Sequence, residues 1–163
     1  MLDEAGFNAW AREHQRRLLR TAFLVTGDPG RAEDLVQDAL LKVALRWSSL
    51  GENRLGYART IIYRDHISWW RRRRVTEHSV ATPPDSATTD PSVEHRLVVT
   101  AALAKLSPRQ RQVLVMRYFD DLSDADCAAV LGISIGTVKR TLFDARAALR
   151  NGAPELAHIL TEV

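Results

Sequence analysis

Apolar side chains return every third or fourth position through most of the chain, and no stretch alternates with the period of two that marks a strand. Phe7, Trp10, Ala11, His14 and Leu18 begin the first helical stripe, which continues through Ala22 and Phe23 to a break at Gly27-Asp28-Pro29. Asp28 is placed to cap a second helix, and Pro29 fills its first turn, where a missing N–H costs nothing. Ala32, Leu35, Val36, Ala39, Leu40, Val43 and Trp47 give this helix its core stripe and carry it to about Trp47. Two glycines, Asn53 and few apolar residues predict a loop over Ser48 to Gly56, with a third helix from about Leu55 to Arg74. The outcome is a three-helix unit over residues 1–74.

Residues 75–96 break the pattern. Val75 to Pro91 holds three prolines, several Ser and Thr, and almost no aliphatic side chains to offset the entropy of ordering, so a flexible acidic linker is expected. Fully stretched it would reach about 70 Å, and as a random coil about 26 Å. Leu97, Ala101 and Leu106 then mark a helix that ends at Ser107-Pro108. Ser107 with Gln110 forms a capping box for the next helix, continued by Val113, Leu114, Arg117 and Tyr118. Ser123 with Asp126 opens a short helix from Asp124 to Leu131, Gly132 stops it, and Ser134 caps a long last helix. Val138, Leu142, Ala145 and Leu149 line the buried side of that helix. A short helix, a glycine turn and a capped basic helix form a helix-turn-helix. The chain reads as all-α, with a second small domain over residues 97–150 and a short tail over residues 151–163.

With 163 residues, the chain has room for one ordinary domain or two very small ones, which excludes a large multidomain enzyme. A single cysteine, Cys127, leaves no intramolecular disulfide and no Cys-rich zinc site, and its place on the short helix suits a small buried thiol. No apolar run approaches the roughly 20 residues of a membrane span, and Asp3 and Glu4 stand where a signal peptide is basic, so the cytoplasm is expected. The net charge of +3 says little, but its distribution says more. Residues 54–74 carry seven Arg against the single Asp65; residues 75–96 are acidic through Glu77, Asp85, Asp90 and Glu94; and Lys139, Arg140, Arg146 and Arg150 restore a basic run. Two basic segments favour a polyanionic partner over merely solvated helix faces.

Three constellations carry candidate chemistry. On the last helix, Thr137, Lys139 and Arg140 are placed to contact bases or phosphates of a major groove, with Arg146 and Arg150 adding electrostatic attraction. On the second helix, Asp34, Gln37, Asp38 and Leu41 form a stripe opposite the core stripe. It is either a solvated face or a docking surface for a basic partner helix; no His or further carboxylate completes a metal site there. On the third helix, Tyr57, Tyr63, Trp69 and Trp70 are interleaved with arginines. Some of these rings belong to the core, and others could stack on unpaired bases while the arginines follow the backbone. The run Arg71 to Arg74 also suits the negative end of the helix dipole.

These residues resemble the extracytoplasmic-function sigma factors of bacterial RNA polymerase over about residues 7–150. Thr26-Gly27-Asp28-Pro29 with Ala32-Glu33-Asp34-Leu35-Val36-Gln37-Asp38-Ala39 is similar to their region two, which His66-Ile67-Ser68-Trp69-Trp70-Arg71-Arg72-Arg73-Arg74 closes in an actinobacterial form. Leu106-Ser107-Pro108-Arg109-Gln110-Arg111-Gln112-Val113-Leu114 and Leu131-Gly132-Ile133-Ser134-Ile135-Gly136-Thr137-Val138-Lys139 resemble region four. The resemblance implies that Asp34, Gln37, Asp38 and Leu41 dock on the β′ clamp helices of core polymerase. It implies that the loop before the third helix and that helix capture and melt the −10 element, through Asn53, Tyr57, Arg59, Arg64, Trp69, Arg71 and Arg72. Ser134, Thr137, Lys139, Arg140 and Arg146 would read the −35 element, and region four would also meet the β flap. Relatives are often restrained by an anti-sigma factor. This chain departs from the pattern at Arg64, where Asn is common, at Asp65, where an apolar residue is common, and at Arg140, Thr141 and Asp144, the last an acid in place of a cation.

The expectation is therefore a non-catalytic initiation subunit of RNA polymerase, with no cofactor, metal or small-molecule substrate. A stand-alone helix-turn-helix regulator is the alternative, which leaves the region-two match without a role. A nucleic-acid enzyme such as a recombinase would need a nucleophile or metal carboxylates gathered in one site, and the sequence offers no convincing set.

Overall fold

The computed structural model describes residues 3–76, 91–154 and 156, and the chain divides into two compact units, Met1–Val80 and Ala81–Val163. Every regular element among the described residues is a helix, so the all-α, two-domain expectation holds.

In the first unit, α1 (Glu4–Thr26), α2 (Pro29–Leu45) and α4 (Arg54–Thr76) pack on one another, with a short α3 (Trp47–Leu50) and a 3-10 turn (Gly51–Asn53) between the last two. Asp28 caps α2 as anticipated, its Oδ1 accepting from the Gly30 N–H at 2.9 Å and the Arg31 N–H at 3.4 Å. Leu18 and Ala22 from α1, Val36 and Val43 from α2, and Ile62 and Tyr63 from α4 are fully buried at the centre. Tyr63 is thus one of the aromatic rings that belong to the core.

Two boundaries differ from the sequence expectation. Helix α2 stops at Leu45, because Arg46 leaves helical geometry at φ −115°, ψ 16°, and Trp47 opens a separate turn. The stretch expected as a loop over 48–56 is helical almost throughout. Its backbone is satisfied locally, with the Ser49 and Leu50 N–H groups both donating to the Arg46 carbonyl at 3.0 and 3.1 Å. Arg54 closes the turn from the far side. Its Nε and Nη2 donate to the Trp47 carbonyl at 3.3 and 3.1 Å while the guanidinium carbon lies 3.6 Å from the centroid of the Trp47 ring. Polar composition marks a lack of core positions, and here the hydrogen bonds needed for helical turns come from neighbours and one arginine.

The expected linker is also shorter, since α4 reaches Thr76 and α5 (Pro91–Ala104) starts at a proline, a residue suited to the first helical position. The rest of that linker, 77–90, lies outside the described residues, as does most of the tail beyond Pro154. In the second unit, α6 (Pro108–Tyr118) and α7 (Asp124–Leu131) pack against α8 (Ile135–Gly152). Ser107 and Gln110 make the capping box in both directions, at 3.2 and 3.1 Å. The buried side of α5 is only partly the one expected: Leu106, just past the helix end, is buried as anticipated, but within α5 Ala102 and Leu103 face inward while Leu97 and Ala101 are exposed. The sequence spacing fits both phases, and packing selects one. Gly132 ends α7 at φ 65°, a left-handed conformation in which a Cβ is strained, so the turn into α8 requires glycine.

All four tryptophans lie between positions 10 and 70, so tryptophan fluorescence reports the first unit. Ile62→Ala empties a fully buried site at its centre and is expected to cost about 2–5 kcal/mol, read as a lower urea midpoint in fluorescence-detected unfolding.

Candidate polymerase and nucleic-acid interfaces

Helix α2 spends one face on the core and leaves the other open. Asp34, Gln37, Asp38 and Leu41 are all exposed, with Leu41 60% and Leu45 77% accessible, and Leu45 extends the stripe by one more turn. Sequence reading missed Leu45, although its spacing from Asp34, Asp38 and Leu41 places it on the same face. Lys42, the cation nearest to this stripe on α2, is drawn aside by Asp65 of α4, with Nζ 2.8 Å from Oδ2. That pair ties α2 to α4, and it gives the acid at position 65 a structural task. What remains on the open face is apolar and acidic, a combination that suits a basic amphipathic helix.

The residues expected at the −10 element fall into different environments along the 3-10 turn and α4. Asn53 is exposed, and its Oδ1 lies 2.6 Å from where a Cβ on Gly56 would sit, so its side chain lies close over the start of α4. Tyr57 is half-buried with the Arg46 guanidinium 5.8 Å from its ring centroid. Arg59 is half-buried with Nε and Nη2 shielded from solvent, which turns its head into the protein. Arg64, Arg71 and Arg72 are exposed. Trp69 is half-buried, and its ring is already occupied: the Arg31 guanidinium carbon lies over it at 3.4 Å and that of Arg73 at 4.7 Å, with His66 stacked at 6.0 Å and Trp70 edge-on at 5.7 Å. Arg31 comes from the first turn of α2, and no sequence spacing pointed to it.

In the second unit, α7, the Gly132 turn and α8 form the helix-turn-helix. Ser134 acts first as the cap of α8, its Oγ accepting the Thr137 N–H at 3.1 Å and lying 2.8 Å from the Thr137 hydroxyl. Thr137, Lys139 and Arg140 project from the exposed face of the first two turns. Arg140 pairs with Asp144 one turn on, Nε to Oδ1 at 3.4 Å, so the acid that departs from the family pattern aligns a neighbouring cation. Arg146 is held by α6, its Nε donating to the Tyr118 hydroxyl at 2.7 Å with the guanidinium carbon 5.5 Å from the ring centroid. Phe143 is 61% exposed between these cations, and Ile135 is exposed at the helix start; both were missed, though each lies off the stripe of Val138, Leu142, Ala145 and Leu149. Arg117 joins α6 to α7 through Asp124, at 3.0 Å. Arg111 is buried, and desolvation pushes its guanidinium down to about 10, so it stays charged at neutral pH.

Comparison with known proteins places both halves. Residues 10–76 match Sigma-70 region 2, and residues 96–149 match Sigma-70, region 4. The RNA polymerase sigma-E factor of Streptomyces coelicolor is 37% identical over 148 residues, covering 88% of this chain and 84% of that protein. The ECF RNA polymerase sigma factor SigL of Mycobacterium tuberculosis is 34% identical over 153 residues, covering 88% and 86%. This chain belongs to the ECF sigma factors. Among solved structures, the sigma factor RpoE of Bartonella quintana, crystallised with the anti-sigma factor NepR, is similar at TM-score 0.64 and 27% identity over 88% of this chain and 95% of that one. CnrH, solved with the cytosolic domain of CnrY, shares the fold at TM-score 0.62 and 21% identity over 91% and 88%. Among the described residues of this ECF factor, no group of His, Cys, Asp and Glu could hold a metal ion, and no helix is long and apolar enough to cross a membrane.

Cys127, on the core side of α7, is fully buried, and desolvation pushes its thiol up to about 11. A protonated, enclosed thiol is a poor nucleophile. The folded ECF factor is expected to resist a thiol-titrating disulfide reagent at pH 8 and to react with one equivalent after denaturation in urea; rapid reaction of the folded chain would contradict this placement.

Proposed function

We propose that this ECF sigma factor gives core RNA polymerase its promoter choice by docking through the α2 stripe and holding promoter DNA at two places. The observation that carries the reading is the open α2 face. Asp34, Gln37, Asp38, Leu41 and Leu45 are presented together while Lys42 is withdrawn into its pair with Asp65. The occupant is the coiled coil of β′ clamp helices, whose basic positions complement the carboxylates and whose apolar positions cover the leucines. A regulator acting alone would have no use for such a face.

In this reading the α3–α4 segment traps flipped bases of the −10 element, with Asn53, Tyr57 and Arg64 near the separated strand and Arg71 and Arg72 on the backbone. Trapping offsets the few kcal/mol lost per unstacked step. Helix α8 enters the major groove of the −35 element, with Thr137, Lys139 and Arg140 foremost and Ser134 and Arg146 supporting. The polymerase makes the phosphodiester bonds, and the factor itself is not an enzyme. It works in the cytoplasm, its partners being core polymerase with its β flap, promoter DNA and, as for the relatives solved with one, an anti-sigma factor.

Asp34→Arg with Asp38→Arg reverses the charge of an exposed face and is expected to abolish co-purification with core polymerase while the circular dichroism spectrum and melting temperature stay near wild type. Normal co-purification would remove the docking assignment. Lys139→Ala with Arg140→Ala is expected to erase the upstream part of the holoenzyme footprint and to weaken promoter binding by about 10-fold or more, through loss of phosphate and base contacts. An unchanged footprint would refute the placement of α8.

A further inference from the structure

The ring of Trp69 is the natural stacking platform of α4, yet two guanidiniums already stand over it, and one of them comes from another helix. Arg31 lies in the first turn of α2, where its own backbone N–H is used by the Asp28 cap. Among the described residues its side chain forms no hydrogen bond and no ion pair, and its Nε is buried without a partner. Arg73 is likewise without a hydrogen bond or ion pair among the described residues, its ring contact with Trp69 aside. Burial holds the Arg31 guanidinium below its ordinary pKa; among the charges around it Asp28 raises it, Arg73 lowers it, and Asp34 and Arg72 add lesser effects of opposite sign. Two cations gathered on one indole, with unused N–H groups at their edges, are incomplete in a partly desolvated place.

We propose that Arg31 and Arg73, stacked on Trp69, form a cradle for a nucleic-acid phosphate, which makes Arg31 of α2 a DNA-binding residue. Stacking consumes the flat face of each guanidinium and leaves the planar fork of N–H donors at its rim, the geometry that takes a phosphate through two parallel hydrogen bonds. An incoming base would have to displace a cation from the ring, whereas a phosphate adds to the arrangement as it stands and neutralises its excess charge. Trp69 then serves as the support that sets two arginines at a fixed spacing, and α2 carries core docking on one face and a backbone contact at its first turn.

This assignment deepens the promoter-binding reading and rests on it, so two arms keep them apart. In the first, the wild-type chain with core polymerase is assayed for run-off transcription on genomic fragments, and failure on every template would remove the sigma reading. In the second, the full chain alone is titrated with single-stranded DNA of random sequence across a potassium chloride series, for wild type, Arg31→Gln and Arg31→Lys, with the thermal midpoint of each variant measured alongside. The slope of log affinity against log salt is expected to fall by about 0.7 in Arg31→Gln, the share of one phosphate on a single strand, and to be retained in Arg31→Lys, which keeps the charge. An Arg31→Gln slope equal to wild type, or equal loss in both variants, would overturn the cradle and leave Arg31 as packing for Trp69.

Discussion

Burial of one stripe per helix commits every other side chain in this molecule to its place. Each unit is small, and each closes a core of its own, around Leu18, Val36 and Ile62 in the first and Val113, Val138 and Leu142 in the second. Large apolar side chains left outside are then few and conspicuous. Among the described residues Leu41 and Leu45 stand on the open face of α2, Leu97 and Val98 on α5, and Ile135 and Phe143 on α8. The pairs on α2 and α8 lie on the faces to which the docking and groove-reading roles are assigned, because a helix with its inward stripe satisfied can present only its opposite side.

Arginine serves this fold in two distinct ways. Arg54 fastens the α3 turn by stacking on Trp47 and donating to its carbonyl, and Arg111 is enclosed within the second unit, so neither offers its charge to a distant partner. Arg64, Arg71 and Arg72 are exposed and can do so. A count of basic residues therefore overstates the electrostatic surface, and only the packing of the aromatic rings separates clamps from contacts. The departures from the family pattern fit the same logic. Asp65 holds Lys42 away from the docking face, and Asp144 aligns Arg140, so each acid is paired with a cation at short range. Exposed pairs of this kind add little to stability, about 0–1 kcal/mol, and their effect here is on where a charge points.

Much could be deduced from the amino-acid order alone. The caps at Asp28, Ser107, Ser123 and Ser134, the glycine stop at position 132 and the 3.6-residue periodicity are local properties, set by hydrogen bonds and dihedral angles within a few residues of one another. They fixed the helical class, the helix-turn-helix and the exposed carboxylate stripe of α2. The tertiary structure decided what depends on partners distant in sequence. It chose the buried phase of α5, which spacing left open, and turned the expected loop over 48–56 into helical turns through an arginine clamp. It also brought Arg31 across from α2 to cover Trp69, so that a ring expected to receive bases is already engaged. The physical reason is the same in each instance: a periodic pattern states which face of a helix prefers burial, but what meets that face, and which cation reaches which ring, is settled only when the helices pack.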